Sequence, residues 1–248
     1  MTSSERPMSF IEHLEELRWR IIKVITSILL GGIVTFFFID FFLYLLLLPL
    51  ENIDSNNPVN LQVLSVQGMF LIKWTIALVG GIILSVPVIT YQLWKFVSPG
   101  LYANEKGFVL PLVIFSFSSF IAGILFSYII LIPYCLNFFA SLSGDTVLNN
   151  FSINHYFSFI TWLLLGSGIV FQLPVISFLL SIIGVLTPAF MRHYRRHSIV
   201  AIFILSSFIT PPDPVSMIVM AFPLIVLYEI SIGVSWFVNR NKDFNSSN

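Results

Sequence analysis

Charge is scarce in this chain. Only 10% of its 248 residues are charged, against 57% hydrophobic, whereas a soluble domain carries about 25% charged residues. One water-soluble core cannot hide that much apolar surface, so lipid is the expected solvent. Net charge is zero, which lacks the basic excess that a nucleic-acid partner requires. Cysteine is scarcer still: Cys135 is alone, so no intrachain disulfide can form. No cysteine/histidine cluster has metal-ligand spacing, and no metal or other cofactor is expected. The chain has no Walker-type glycine-lysine loop, no kinase set, no nucleophile elbow and no HExxH. An enzyme is therefore not expected. The N-terminus does not read as a cleavable signal peptide, because Glu5, Glu12, Glu15 and Glu16 mix with arginines and no small-residue cleavage site follows. Internal repeats and low-complexity segments are also missing.

What the chain has is long apolar runs. A membrane-spanning helix needs about 20 mostly apolar residues, and the runs predict six spans in an all-α, polytopic domain over residues 1–240. They fall at about 21–44, 69–96, 108–139, 157–185, 195–209 and 215–237, with a short polar tail at 241–248. The first run continues apolar to Pro49, roughly 44 Å as one helix, so it must tilt or leave the membrane, and Asp40 marks a plausible exit. Residues 9–20 read as an amphipathic lead-in helix at the membrane surface, opened by a Ser9/Glu12 capping box. Thr187 before Pro188, and Asp213 before Pro214, read as N-caps with proline at the first helical position. Between them, Thr210-Pro211-Pro212 cannot continue a helix. The last two spans are therefore a tight hairpin, and the apolar part of the fifth, 199–209, covers only about 17 Å.

The basic residues set an orientation. Arg6, Arg18, Arg20 and Lys23 flank the start of span one, Lys95 and Lys106 bracket the loop after span two, Arg192, Arg195 and Arg196 follow span four, and Arg240 and Lys242 close the chain. The alternate loops have no lysine or arginine, and Lys73 alone breaks the pattern. The positive-inside rule then places both termini in the cytoplasm.

Three sets of residues could carry function. Glu16 and Glu105 lie in the two cytoplasmic segments. Residue type alone allows an ordinary Glu16–Arg20 pair with a solvated Glu105, or an acidic pocket for paired guanidinium groups. Gln172, Glu229 and Lys73 are polar groups at or near membrane depth, with Asp213 at the far-side turn. They read equally as functional groups or as helix–helix hydrogen bonding and snorkelling. Prolines, among them Pro49, Pro87, Pro133 and Pro174, sit inside or at the ends of spans and can bend helices around a concavity.

The sequence closely resembles the TatC family, the multi-spanning subunit of the twin-arginine protein translocase. The resemblance rests on HLEELR (13–18), SVPVITYQLWKFVSPGLYANEK (85–106), GIVFQLPV (168–175), MRHYRRH (191–197), ITPPDPVS (209–216) and LYEI (227–230). It implies six tilted helices arranged like a cupped, glove-like hand, with short fifth and sixth spans. It implies a receptor for twin-arginine signal peptides on folded cargo, working with TatA/TatB-type single-span partners and other TatC copies in the lipid bilayer, powered by the proton motive force. On this resemblance the signal peptide meets Glu16 and Glu105, with Arg18, Arg20, Phe96, Pro99, Leu101 and Tyr102 shaping the site. Gln172 and Glu229 become intramembrane polar contacts for partner helices, and Pro49, Phe70 and Asp213 belong to the far-side cap and turn. The implied location is the bacterial cytoplasmic (inner) membrane, an organelle membrane being the alternative. Two departures stand out: Gln172 replaces a frequent glutamate and so cannot titrate, and Met217 replaces a polar glutamine. A small-solute secondary transporter is the alternative function; it calls for a midplane site between repeats.

Overall fold

The computed structural model describes residues 10–51, 59–97, 109–142 and 149–246. Its elements run α1 (Phe10–Phe37), α2 (Ile39–Glu51), β1 (Val59–Gln62), α3 (Gly68–Val97) and α4 (Val109–Phe126). A π-helical turn (Ser127–Leu131), α5 (Ile132–Leu142), β2 (Asn149–Ser152), α6 (Ile153–Val170) and α7 (Leu173–Ile183) follow. The chain ends with α8 (Pro188–His193), α9 (Arg195–Ile209) and α10 (Pro214–Ser246).

Among the described residues, five helical stretches are long and apolar enough to cross a membrane: 11–37, 68–96, 110–142, 153–183 and 214–239. The remaining segment, α9, has 15 residues, about 22 Å at helical rise, well short of a ~30 Å hydrocarbon core. The sixth span is the apolar part of α10, 214–239; its helix continues through the polar tail to Ser246, because no proline or glycine follows Gly233 to stop it. The lead-in helix is likewise not separate. Between Phe10 and Phe37 no proline intervenes, and one helix runs through both the amphipathic turns and the first span. It breaks at Phe38, whose N–H turns back to the Thr35 carbonyl at 3.1 Å.

Helix α1 packs along α3 and touches little else. The two run antiparallel: Ser27 donates to Ser85 at 3.1 Å, and the backbones nearly meet at Gly31 and Gly81. A Cβ on Gly81 would lie 2.5 Å from the Ile28 carbonyl oxygen, so only glycine permits this approach. Such small-residue contacts hold helices together where lipid removes the hydrophobic drive between them. Helices α3, α4 and α6 pack on one another, and α7 packs on α10. The main core gathers Leu131, Ile132, Ile160, Leu163, Met220 and Leu224, all fully buried. A smaller cluster surrounds the buried Trp94. Two short strands, which the sequence did not announce, pair in parallel with Val59 opposite Asn149 and Gln62 opposite Ser152. They fix the loop after α2 to the loop after α5, so both lie on one side of the membrane.

The prolines leave carbonyls without helical donors, and in lipid each must be answered. Pro49 has no N–H for the Leu45 carbonyl. The Tyr128 hydroxyl supplies the missing donor at 2.7 Å, and the Tyr156 hydroxyl donates to the neighbouring Leu46 carbonyl at 2.8 Å. Pro133 deprives Ile129 in the same way, and the chain answers by widening into the π-turn just before it, closed by the Ile132 N–H on the Ser127 carbonyl. At the far end of α7, Gly184 takes φ 87°. Its N–H reaches the Ser181 carbonyl at 3.1 Å and the Val185 N–H reaches Leu180 at 2.9 Å, a left-handed helix stop that glycine adopts without strain.

Tyr128→Phe is predicted to destabilise the folded protein by about 1–3 kcal/mol, the cost of an unanswered buried carbonyl, read as a lower thermal midpoint in detergent. In a Pro49→Ala background, where the helix regains its own donor, the same change should cost no more than half as much.

Candidate functional site

At the N-terminal end of α1, helical spacing puts His13, Glu16 and Arg20 on one face. Packing against α3 turns that face toward Gln92 and Phe96. Arg20 is 8% exposed, and a charge so buried is tolerable only when paired. Its Nη2 donates to Glu16 Oε1. Its Nη1 makes longer contacts to the Gln92 carbonyl, 3.5 Å, and to Gln92 Oε1, 3.4 Å. The His13 ring stacks on Phe96 with centroids 4.3 Å apart. Glu16 Oε2 accepts no hydrogen bond among the described residues, and His13 Nδ1 stands 3.8 Å from it. The result is a carboxylate with one oxygen held by a resident guanidinium and one oxygen uncommitted.

Of the residues expected here, the structure brings together Glu16, Arg20 and Phe96. Arg18 lies on the same helix but is exposed. Pro99, Leu101, Tyr102 and Glu105 lie outside the described residues. Gln92 and His13 are additions. His13 opened a quoted motif without a role of its own, and Gln92 had no signal beyond being a polar residue one turn before Phe96.

A second polar group lies within the membrane. Gln172 sits at the break between α6 and α7, where Pro174 prevents a continuous helix. Ser116 of α4 donates to Gln172 Oε1 at 2.6 Å, and Gln172 Nε2 donates back to the Ser116 carbonyl at 3.0 Å. Because the Ser116 proton is used there, the 2.9 Å contact with Thr90 of α3 has Thr90 as donor. The chain Thr90–Ser116–Gln172 thus stitches three helices. Ser119 answers the Phe171 carbonyl freed at the break. Serines and threonines are frequent throughout these spans, so sequence could not single out Thr90 and Ser116.

The remaining expected residues act separately. Glu229 pairs with Arg195 at 2.7 Å, both about half exposed, a snorkelling ion pair between α9 and α10. Lys73, which breaks the charge pattern, lies 3.5 Å from Asp40, on the side of the loop after α2. Pro49 is buried and creates the carbonyl that Tyr128 answers. Phe70 is exposed and meets Trp74 edge-on at 6.1 Å. Asp213 caps α10: it accepts from the Ser216 N–H at 2.7 Å and from the Ser216 hydroxyl, and so starts the last helix directly after Pro211 and Pro212. Thr187 caps α8 in the same way, accepting from the Phe190 N–H at 3.3 Å, although that helix ends at His193 and α9 begins only at Arg195. Among the described residues no group of three or more histidine, cysteine, aspartate or glutamate side chains could hold a metal.

A multi-pass helical membrane protein with one short span, a carboxylate–guanidinium site at one rim and a polar seam at depth defines a class of transport protein built from broken helices. The comparisons narrow the class. The family model for TatC, Sec-independent protein translocase protein, matches residues 12–223, and the chain belongs to this family. It is 34% identical to the Sec-independent protein translocase protein TatC of Carboxydothermus hydrogenoformans, over 97% of this chain and 98% of that one. It is 36% identical to the protein of the same name from Aquifex aeolicus, over 95% and 98%. A crystal structure of the twin arginine translocase receptor TatC superposes with a TM-score of 0.81 at 36% identity, covering 90% of this chain and 99% of that one.

Ser116→Ala removes the middle of the seam. It should lower stability by about 0.6–1.7 kcal/mol, the range of interhelical hydrogen bonds in membranes, and Gln172→Leu should add little further loss in that background. A double-mutant cycle on thermal unfolding measures the coupling.

Proposed function

We propose that this chain is the signal-peptide receptor of a twin-arginine translocase in a bacterial inner membrane, with both termini in the cytoplasm. The uncommitted oxygen of Glu16 is the observation that carries this reading. A carboxylate at the rim of an apolar bundle binds a guanidinium strongly, because the bond is charge-assisted and partly shielded from water. Arg20 occupies the other oxygen and holds the carboxylate still; the unbonded oxygen is buried beside His13, so an incoming arginine reaches this fixed acceptor by displacing the side chains that cover it. Glu105, in the segment between α3 and α4, takes the second arginine of the pair, and the resemblance gives Arg18, Phe96, Pro99, Leu101 and Tyr102 to the same site. The lysine/arginine pattern supports placing this rim in the cytoplasm.

Single-span TatA/TatB-type proteins and further copies of this chain complete the complex, and the proton motive force drives export of folded cargo. Gln172 retains one amide hydrogen beyond its bonds to Ser116, and this is the group offered to a partner helix. Glu229 supports the α9–α10 hairpin from its rim. Pro49, Phe70 and Asp213 shape the far-side cap and turn. Nothing in the family relationship supports the solute-transporter alternative, and no enzymatic role is assigned.

The test is site-specific crosslinking of a peptide bearing consecutive arginines. With the unaltered protein, adducts should form near positions 16 and 105. Glu16→Lys combined with Glu105→Lys should reduce them by at least about tenfold, the equivalent of about 1.4 kcal/mol. Unchanged crosslinking in the double variant would remove the site assignment.

A further inference from the structure

Helices α1 and α3 leave a groove on their outer face that the receptor reading does not use. It holds about 590 Å³ and runs from Trp19 past Thr26 and Leu30 to Val34 on α1, with Leu84 and Val88 forming the opposite wall. Its floor is where the two helices meet, at Ser27 and Ser85. From Trp19 to Val34 the helix rises about 22 Å, more than the half-thickness of a ~30 Å hydrocarbon core. The groove is therefore long enough to take an acyl chain through one leaflet.

Its two ends differ in chemistry. Lys23 lines the Trp19 end and is exposed. It makes no ion pair among the described residues, whose pairs involve Arg20, Lys73, Arg195 and His13. Beyond Lys23 no charged residue occurs until Asp40. A cation with an indole beside it at the headgroup level, followed by an uncharged trough, is complementary to one type of molecule in the surrounding membrane.

We propose that this groove is a binding site for an anionic phospholipid, the phosphate on Lys23 and one acyl chain lying along Leu30, Val34 and Leu84. The lipid fills the outer side of the glycine contact between α1 and α3. It thereby steadies the helix that carries Glu16 and Arg20 without touching either.

Native mass spectrometry of the full chain in detergent, given equal amounts of phosphatidylglycerol and phosphatidylcholine, tests the site. Phosphatidylglycerol should be retained preferentially. Lys23→Gln should reduce that preference about fivefold, the equivalent of about 1 kcal/mol for one basic residue at a membrane surface, while Lys23→Arg retains it. Thr26→Trp, which fills the trough, should abolish retention of both lipids. A photo-crosslinker at Leu30 in native membranes should give a lipid adduct. Equal retention of the two lipids, a preference that Lys23→Gln leaves unchanged, or a Leu30 adduct to a protein helix instead of lipid would each overturn the proposal. Twin-arginine peptide crosslinking at position 16 reads the receptor function separately, so failure of one leaves the other standing.

Discussion

In lipid, a backbone carbonyl that loses its helical partner has no water to turn to. Much of this fold follows from how the chain meets that constraint while using prolines to bend its helices. Pro49 in α2 and Pro133 in the third span each free a carbonyl, Pro174 breaks the fourth span, and a different device answers each. Tyr128 reaches across from the π-turn to Leu45. The π-turn itself redistributes bonds around Pro133. At Pro174 the helix breaks, and Ser119 closes onto Phe171. The bonds made by Tyr128 and Ser119 are also tertiary contacts, tying the third span to α2 and to the break between α6 and α7. Bending the helices and binding them together are thus one event.

The site at the rim obeys the same economy of polar groups. Arg20 is nearly buried, and it is tolerated because Glu16 lies one turn away and Gln92 faces it from α3. The resident arginine makes the carboxylate rigid and leaves half of it free. At membrane depth the neutral Gln172 spends its amide on Ser116, which in turn receives Thr90. A carboxylate at that position could titrate, but an amide cannot, and here it serves first to fasten α7 to α4. The two polar groups thus differ in kind: one keeps a carboxylate oxygen unbonded at the rim, and the other spends most of its amide on fastening helices within the bundle.

Much of the fold was legible in the residues. The apolar runs marked the spans, and the short α9 followed from its flanking charges and the prolines after it. The caps at Thr187 and Asp213 were readable because a capping side chain followed by proline is a purely local signal. The Glu16–Arg20 pair was open to the same reading, being one helical turn apart. The strands were hidden because they are only four residues long: VNLQ alternates, but over too short a run to stand out, NNFS does not alternate, and both exist only by pairing with each other. The separate lead-in helix was an overreading: amphipathic turns and an apolar span join smoothly when nothing breaks the helix between them. The helical tail after the sixth span was hidden for the complementary reason, a polar segment that remains helical because nothing breaks it.

Sequence by itself determined that this chain crosses a membrane several times, where α8 and α10 are capped, and to which family it belongs. Those properties rest on run length, local capping and ordered motifs, all of which are one-dimensional. Tertiary structure alone decided which oxygen of Glu16 is free, what answers the Leu45 carbonyl, and that Gln172 is already engaged. Each of these depends on residues far apart in the chain, Arg20 with Gln92, Tyr128 with Leu45, Ser116 with Gln172. The close approach of α1 and α3 at Gly31 and Gly81 brings the first of these pairs together, because antiparallel helices in contact align residues whose spacing in sequence carries no signal.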